Sequence, residues 1–212
     1  MPTQHSILSA YNATAENYAK EFIDELSHKH LDRILLKQFA EENKNGNCID
    51  LGCGPGQTTK FLFDCGMKNI VGTDISPAMI AKAKEINPQI NFEVTDMLNL
   101  QYKDNSFNSA IAFYAIVHFT VEELKLALYE IKRVLKDNGQ FLFSFHIGNE
   151  VKHVDNFLDK NVSLDFYFFE TEKILSLLDE AGFTVIDAIE RFPYKDAEYP
   201  SKRAYIWVKK LG

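Results

Sequence analysis

The feature that most constrains this chain is the run Asp50-Leu51-Gly52-Cys53-Gly54-Pro55-Gly56, which grows out of a short apolar stretch beginning at Cys48. Glycine tolerates positive φ and lets a ligand approach the backbone. A strand that ends in such a turn and passes at once into a helix is therefore shaped for close contact with a bound molecule. Alone, the turn is weak evidence, since packing or an ordinary dinucleotide site would also produce one.

The surrounding pattern supplies the context. From Asn47 onward, short apolar runs alternate with helical segments, the signature of βαβ units and a parallel sheet. The spacing predicts strands at 48–51, 69–73, 90–95, 109–113 and 140–146. The predicted helices are a segment near 57–64, one opening at Ser76-Pro77, one over 121–135 closed by Asn138-Gly139, and one over 170–181. Ser76 is a natural cap, and Pro77 fits the first turn. The tail reads as two strands, 183–191 and 203–208, joined as a hairpin in which Glu190 and Arg203 are expected to pair. The first 43 residues read as two amphipathic helices, while residues 147–168 fit no period and are expected to be an irregular functional loop.

Three observations narrow the ligand. The sixth position from Gly52, where a dinucleotide fingerprint places glycine, is Gln57. Asp50, Asp74 and Asp96 fall at the ends of the first three predicted strands, an acidic rim that repels a pyrophosphate and suits a ligand carrying a sulfonium and an ammonium. Asp74 is also placed to accept hydrogen bonds from both hydroxyls of a ribose.

On these residues, the segment from Asn47 to His146 resembles the class I S-adenosylmethionine-dependent methyltransferases. The resemblance implies a Rossmann-like three-layer α/β sandwich, with a seven-stranded, mostly parallel sheet and an antiparallel last strand. It further implies that Gly52, Gly54 and Gly56 line the methionine end of S-adenosylmethionine, with Asp50 near its amino group. Asp74 is expected on the ribose, Ile75 against adenine, and Asp96 with Met97 near the adenine amino group. Cys53 and Phe113 complete the expected cofactor contacts. The run Tyr11-Asn12-Ala13-Thr14-Ala15-Glu16-Asn17-Tyr18 resembles a family segment that closes over the cofactor, although Asn12 stands where aspartate is usual. Tyr11 and Tyr18 share a helix face and either reach the site or pack in the core.

On the acceptor side, Phe113-Tyr114-Ala115-Ile116-Val117-His118 occupies the position where such enzymes meet cofactor and substrate, and it is not the Asn-Pro-Pro-Tyr of base-amine methyltransferases. His118 and His146 are candidate general bases, because histidine titrates near working pH. Tyr114, His118, His146, His153 and Tyr167, with Asp155 and Phe157, are candidates to line an acceptor pocket. His146, Glu150 and His153 match no zinc spacing, so no metal is expected. Cys48, Cys53 and Cys65 are odd in number and unpaired in spacing, and they read as buried free thiols.

With 212 residues, a single domain is expected: a helical cap over 1–43, a cofactor core over 47–146, an acceptor-side loop over 147–168, and a C-terminal helix and hairpin over 169–212. A formal charge of -7 and a pI near 5.4 speak against a nucleic-acid partner and favour a small-molecule acceptor. The start Met1-Pro2-Thr3-Gln4-His5 lacks a basic-then-apolar pattern, and no apolar run nears the ~20 residues of a membrane span, so a cytoplasmic protein is expected. Two other classes stay open: a noncatalytic module that binds S-adenosylmethionine and serves as a regulatory partner, and a nicotinamide-dependent oxidoreductase.

Overall fold

The computed structural model describes residues 4–212. Its centre is β1 (Cys48–Leu51), whose four residues are all buried. Parallel strands covered on both faces lose the alternating pattern and become continuous apolar runs. β1 pairs in parallel with β2 (Ile70–Asp74) on one side and β4 (Phe107–Phe113) on the other, while β3 (Asn91–Val94) pairs with the outer side of β2. Beyond β4 lie β5 (Leu135–His146), β9 (Arg203–Lys210) and β8 (Phe183–Arg191), giving the order β3-β2-β1-β4-β5-β9-β8. β9 is antiparallel to both neighbours. Chain direction around the sheet reverses between β1 and β4, and open α/β sheets bind ligands in the crevice at that point.

Side-chain alternation along β5 sorts the core into two layers. Phe141, Phe143 and Phe145 face one side, with ring centroids 4.7 and 5.9 Å apart for successive pairs. There they meet α5 (Val121–Val134) and α6 (Thr171–Ala181) through Leu128, Ile131, Ile174 and Leu178. Leu142, Tyr205 and Trp207 face the other side and pack with α2 (His30–Asn43), α3 (Gln57–Asp64) and α4 (Pro77–Ile86) through Phe39, Leu62 and Ile80. The helix ends are chemically specified. Ser76 Oγ accepts from Met79 N at 3.1 Å ahead of Pro77, as its sequence position suggested. Thr120 and Glu123 form a reciprocal capping box at the start of α5.

The N-terminal helical reading corresponds to α1 (Gln4–Phe22) and α2, separated by a single 3-10 turn at Glu25–Ser27; Met1, Pro2 and Thr3 lie outside the described residues. Three local expectations are corrected. Residues 147–168 are largely a regular hairpin, β6 (Val151–Phe157) and β7 (Lys160–Tyr167), forming their own two-stranded sheet. Its turn residues Leu158 and Asp159 have φ of 51° and 61°, so the tight turn needs two left-handed residues that its sequence does not advertise with Asn-Gly. Asn138-Gly139 does not close α5. That helix ends at Val134, and Asn138, at φ 62°, sits in an irregularity between the pairs Phe107–Leu135 and Ser109–Gln140. Glu190 and Arg203 do not pair, because Glu190 accepts from Thr171 Oγ1 at 2.5 Å and Arg203 lies 3.2 Å from Glu198.

The capping box predicts that Thr120→Ala lowers folding stability by about 1 kcal/mol, read as a lower urea midpoint at unchanged m-value.

Candidate functional site

The loop after β1 is built on left-handed glycines, with Gly52 at φ 68° and Gly54 at φ 53°. A Cβ on Gly52 would sit 2.5 Å from Ala115 Cβ, so the residue is fixed by close approach to the loop after β4 as well as by its dihedral. Asp74, ending β2, ties this loop to the next: its Oδ2 accepts from Gly54 N at 3.0 Å and its Oδ1 from Ser76 N at 2.9 Å. Burial nonetheless raises its pKa. Beneath it, Asp50 Oδ2 accepts from Thr59 Oγ1 at 2.6 Å, and burial, reinforced by the Asp74 charge, pushes Asp50 up to about 7.

These groups open into a cavity of about 990 Å³. Its floor carries Asp50, Gly52, Cys53, Gly54 and Asp74. Ile75, Asp96, Met97 and Phe113 continue the wall, and Tyr11 and Tyr18 reach in from α1. Asp96 also accepts from Gln4 Nε2 at 2.5 Å and Leu98 N at 2.9 Å. Tyr114, His118, His146 and Phe157 line the same cavity. The structure does not bring Gly56, His153, Asp155 or Tyr167 into it. Gly56 begins α3 with its α-carbon turned toward Phe92. His153 lies half-exposed on the hairpin, 2.6 Å from Asp165 and 3.1 Å from Asp155, which raise its pKa. Tyr167 borders a separate hollow beside Thr120 and Glu170.

The helix α1 is held over the cavity by specific polar contacts. Asn12 Oδ1 accepts from Ser76 Oγ at 2.7 Å and Ala78 N at 3.2 Å, joining α1 to the cap of α4 through contacts that an aspartate oxygen would also accept. Asn17 Nδ2 donates to Leu158 O at the hairpin tip, 2.8 Å. His118 Nδ1 is 2.7 Å from Asp165 O, and a carbonyl can only accept, so Nδ1 carries the proton. Nε2 then accepts from Tyr11 Oη at 2.6 Å. Burial drives His118 down to about 4, keeping the imidazole neutral in this role. His146 is likewise pushed down to about 3, by burial first and then by the charges of Arg203 and Lys29. Its Nδ1 bonds Ser201 Oγ at 2.7 Å.

Two parts of the wall were not foreseen. The 3-10 turn and the start of α2 bring Glu25 and Lys29 into the cavity, 2.5 Å apart, with Gln57 Nε2 donating to Glu25 at 2.9 Å. The only sequence hint was the spacing of Glu25 and Lys29 by one helical turn. The connection between β8 and β9 contributes Glu198 and Tyr199, and the first residue of β9 contributes Arg203. The connection is pinned by Arg191, which grips Glu198 with two nitrogens at 2.6 and 2.8 Å and reaches Asp32 at 3.0 Å. Asp32 also accepts from Tyr205 Oη at 2.6 Å; its pKa is raised by burial despite that bond and the charges of Lys29 and Arg191.

A glycine-cornered loop after β1, an acid ending β2 and a crevice at the switch point give the architecture seen in solved methyltransferases of this fold. Residues 48–139 match the family model described as a methyltransferase domain, so this segment is such a domain. Among relatives, an uncharacterized protein of Methanocaldococcus jannaschii is 35% identical over 137 residues, 63% of this chain and 49% of that protein. Probable tRNA methyltransferase 9B of Mus musculus is 33% identical over 129 residues, 60% of this chain but 27% of its own length. The chain therefore spans half or less of these two relatives. A 1,6-didemethyltoxoflavin-N1-methyltransferase of Burkholderia thailandensis, solved with bound 1,6-didemethyltoxoflavin and S-adenosylhomocysteine, superposes with TM-score 0.76 over 100% of this chain and 92% of that one, at 16% identity. That likeness is one of fold.

Removing Arg191 would leave Glu198 and Asp32 buried without their shared cation. Arg191→Met is expected to destabilise the protein by ~3–5 kcal/mol, measured by chemical denaturation, whereas exposed Lys125→Met changes stability by less than about 1 kcal/mol.

Proposed function

We propose that this protein transfers a methyl group from S-adenosylmethionine to a small-molecule acceptor. The observation that carries the proposal is the pairing of the Gly52–Gly54 backbone with the carboxylates of buried Asp50 and half-buried Asp74 in one covered cavity. The site's acids favour a cationic sulfonium and ammonium over a pyrophosphate, which argues against a nicotinamide cofactor. Asp74 faces the ribose; Ile75, Asp96 and Met97 flank the adenine. Asp50 and the Glu25–Lys29 pair suit the amino-acid end, offering an acid to its ammonium and a cation to its carboxylate.

The reaction is a direct displacement. A lone pair of the acceptor forms a bond to the methyl carbon, the carbon–sulfur bond breaks, and its electrons return to sulfur, leaving S-adenosylhomocysteine. Alignment in the cavity supplies ~7–11 kcal/mol of the barrier reduction. Neither candidate histidine is a strong base. Moving a proton from a neutral phenol-like hydroxyl to an imidazole of pKa about 4 is uphill by about 8 kcal/mol. We therefore assign His118 to positioning Tyr11 and leave the nucleophile to arrive deprotonated. The lid of α1 and the hairpin, together with a formal charge of -7, favours a small acceptor over a polyanion. Among the described residues no helix is long and apolar enough to cross a membrane. Free thiols at Cys48, Cys53 and Cys65 fit a reducing compartment, and we place the protein in the cytoplasm.

Isothermal titration with S-adenosylmethionine, S-adenosylhomocysteine and NADH tests the cofactor. Binding of the first two with Kd on the order of micromolar, lost in Asp74→Ala, is expected; no binding, or tighter binding of NADH, overturns the proposal. Methyl transfer from labelled cofactor to a metabolite pool separates an enzyme from a noncatalytic binding module.

Asp50 adds a pH signature. Its folded pKa of about 7 lies above its unfolded value, so its neutral form stabilises the empty protein at acid pH, and that contribution is lost as pH rises through 7. An ammonium beside it favours the carboxylate and expels the proton. At pH 6, titrations in buffers of different ionisation enthalpy are expected to show proton release on cofactor binding, absent in Asp50→Asn.

A further inference from the structure

Beyond the cofactor lobe, the cavity ends in a box of rings. Tyr114 and His146 have centroids 5.4 Å apart, His146 and Phe168 5.3 Å, His146 and Tyr199 6.1 Å, and Phe168 and Tyr199 6.1 Å. All four line the cavity. Tyr114 is held at φ 54°, a left-handed conformation costly for a bulky side chain, and its hydroxyl meets that of Tyr205 at 3.0 Å. Strain of this kind persists only where the surroundings enforce it, and here it points a ring toward the box.

An aromatic box by itself suits either a flat ring or a quaternary cation. The charges decide between them. The ring faces already carry cations: Lys29 Nζ lies 4.8 Å from the Tyr114 centroid, and Lys152 Nζ lies 4.1 Å from that of Tyr199 while donating to its hydroxyl at 2.9 Å. Arg203, nearly fully buried, lies beside His146. The nearby acids are committed elsewhere: Glu198 to Arg191 and Arg203, Glu25 to Lys29, and Asp32 to Arg191 and Tyr205; Asp196 is exposed at the rim. Lys29 and Arg203 are spent in those same pairs, which leaves Lys152, against Tyr199 and in no ion pair among the described residues, as the charge a cationic guest would meet without a free carboxylate in the box.

We propose that this box is the acceptor subsite and that it takes a planar aromatic molecule bearing an anionic oxygen, which is itself the methylated atom. This proposal rests on the methyltransferase reading. The carboxylate or phenolate oxygen forms the bond to the methyl carbon, the carbon–sulfur pair returns to sulfur, and negative oxygen and positive sulfonium become two neutral products. No proton moves, in keeping with a box whose only imidazole is held neutral and weakly basic.

The test is calorimetric binding of 2-naphthoate, 2-naphthamide and 2-naphthylmethylammonium to the protein, with and without saturating S-adenosylhomocysteine. Naphthoate is expected to bind at least about tenfold more tightly than the amide, with the ammonium weakest. Lys152→Met and Tyr199→Ala are each expected to reduce naphthoate affinity, with S-adenosylhomocysteine binding on the same samples reporting that the fold is intact. Equal affinity for the three probes, tightest binding of the ammonium, no naphthoate binding, or variants that bind naphthoate unchanged would overturn the subsite. Naphthoate preference without any S-adenosylhomocysteine binding would instead remove the methyltransferase reading and leave an anion-selective aromatic pocket.

Discussion

The carboxylate of Asp74 is the point at which the cofactor lobe is joined. It is half-buried, and both its oxygens receive backbone N–H groups, one from the loop after β1 and one from the loop that starts α4. An ionised group in that position is tolerable only because those donors are fixed. Their fixity traces back through Gly52, which can approach Ala115 only without a side chain, to the reversal of strand order between β1 and β4. The same Ser76 that feeds Asp74 from its backbone also caps α4 and donates to Asn12, so the lid helix is indexed to the loop it covers.

The lid and the hairpin form a second layer of organisation. Tyr11 joins α1 to His118 after β4, His118 joins Asp165 on β7, and Asn17 joins α1 to the tip of that hairpin. Three segments far apart in sequence thus share one set of neutral hydrogen bonds around the cavity mouth. A neutral imidazole suits this task because it donates from one nitrogen and accepts at the other; a protonated one would place two donors against a carbonyl and a hydroxyl.

The sheet was legible because its central strands are buried on both faces and separated by capped helices, so local pattern and tertiary burial agree at Cys48–Leu51, Ser76-Pro77 and Val121–Val134. The glycine and aspartate positions of the cofactor lobe were legible for a related reason, since each answers to a backbone requirement at a strand end. The hairpin over Val151–Tyr167 was not. Most of its side chains are exposed or half-buried on both faces, which erases the two-residue period, and its turn uses Leu158 and Asp159. Glu25, Lys29, Glu198 and Arg203 were missed because the pairs Glu25–Lys29 and Glu198–Arg203 are local and read as ordinary ion pairs, while their place in the cavity wall depends on segments distant in sequence, and His153 was misplaced because one residue along a strand changes the face it occupies.

The acceptor box is carried mostly outside the central sheet. Phe168 follows the hairpin, and Tyr199 rides on the 192–202 connection, which Arg191 clamps through Glu198. The clamp closes on Asp32 of α2 rather than on any residue of the glycine loop. This part of the wall is therefore anchored independently of the glycine loop. Tyr199 and Lys152, which lie outside the central sheet, can be exchanged without touching its strands, so on the proposed reading one scaffold can be retuned to new acceptors by changing residues that its folding core does not read.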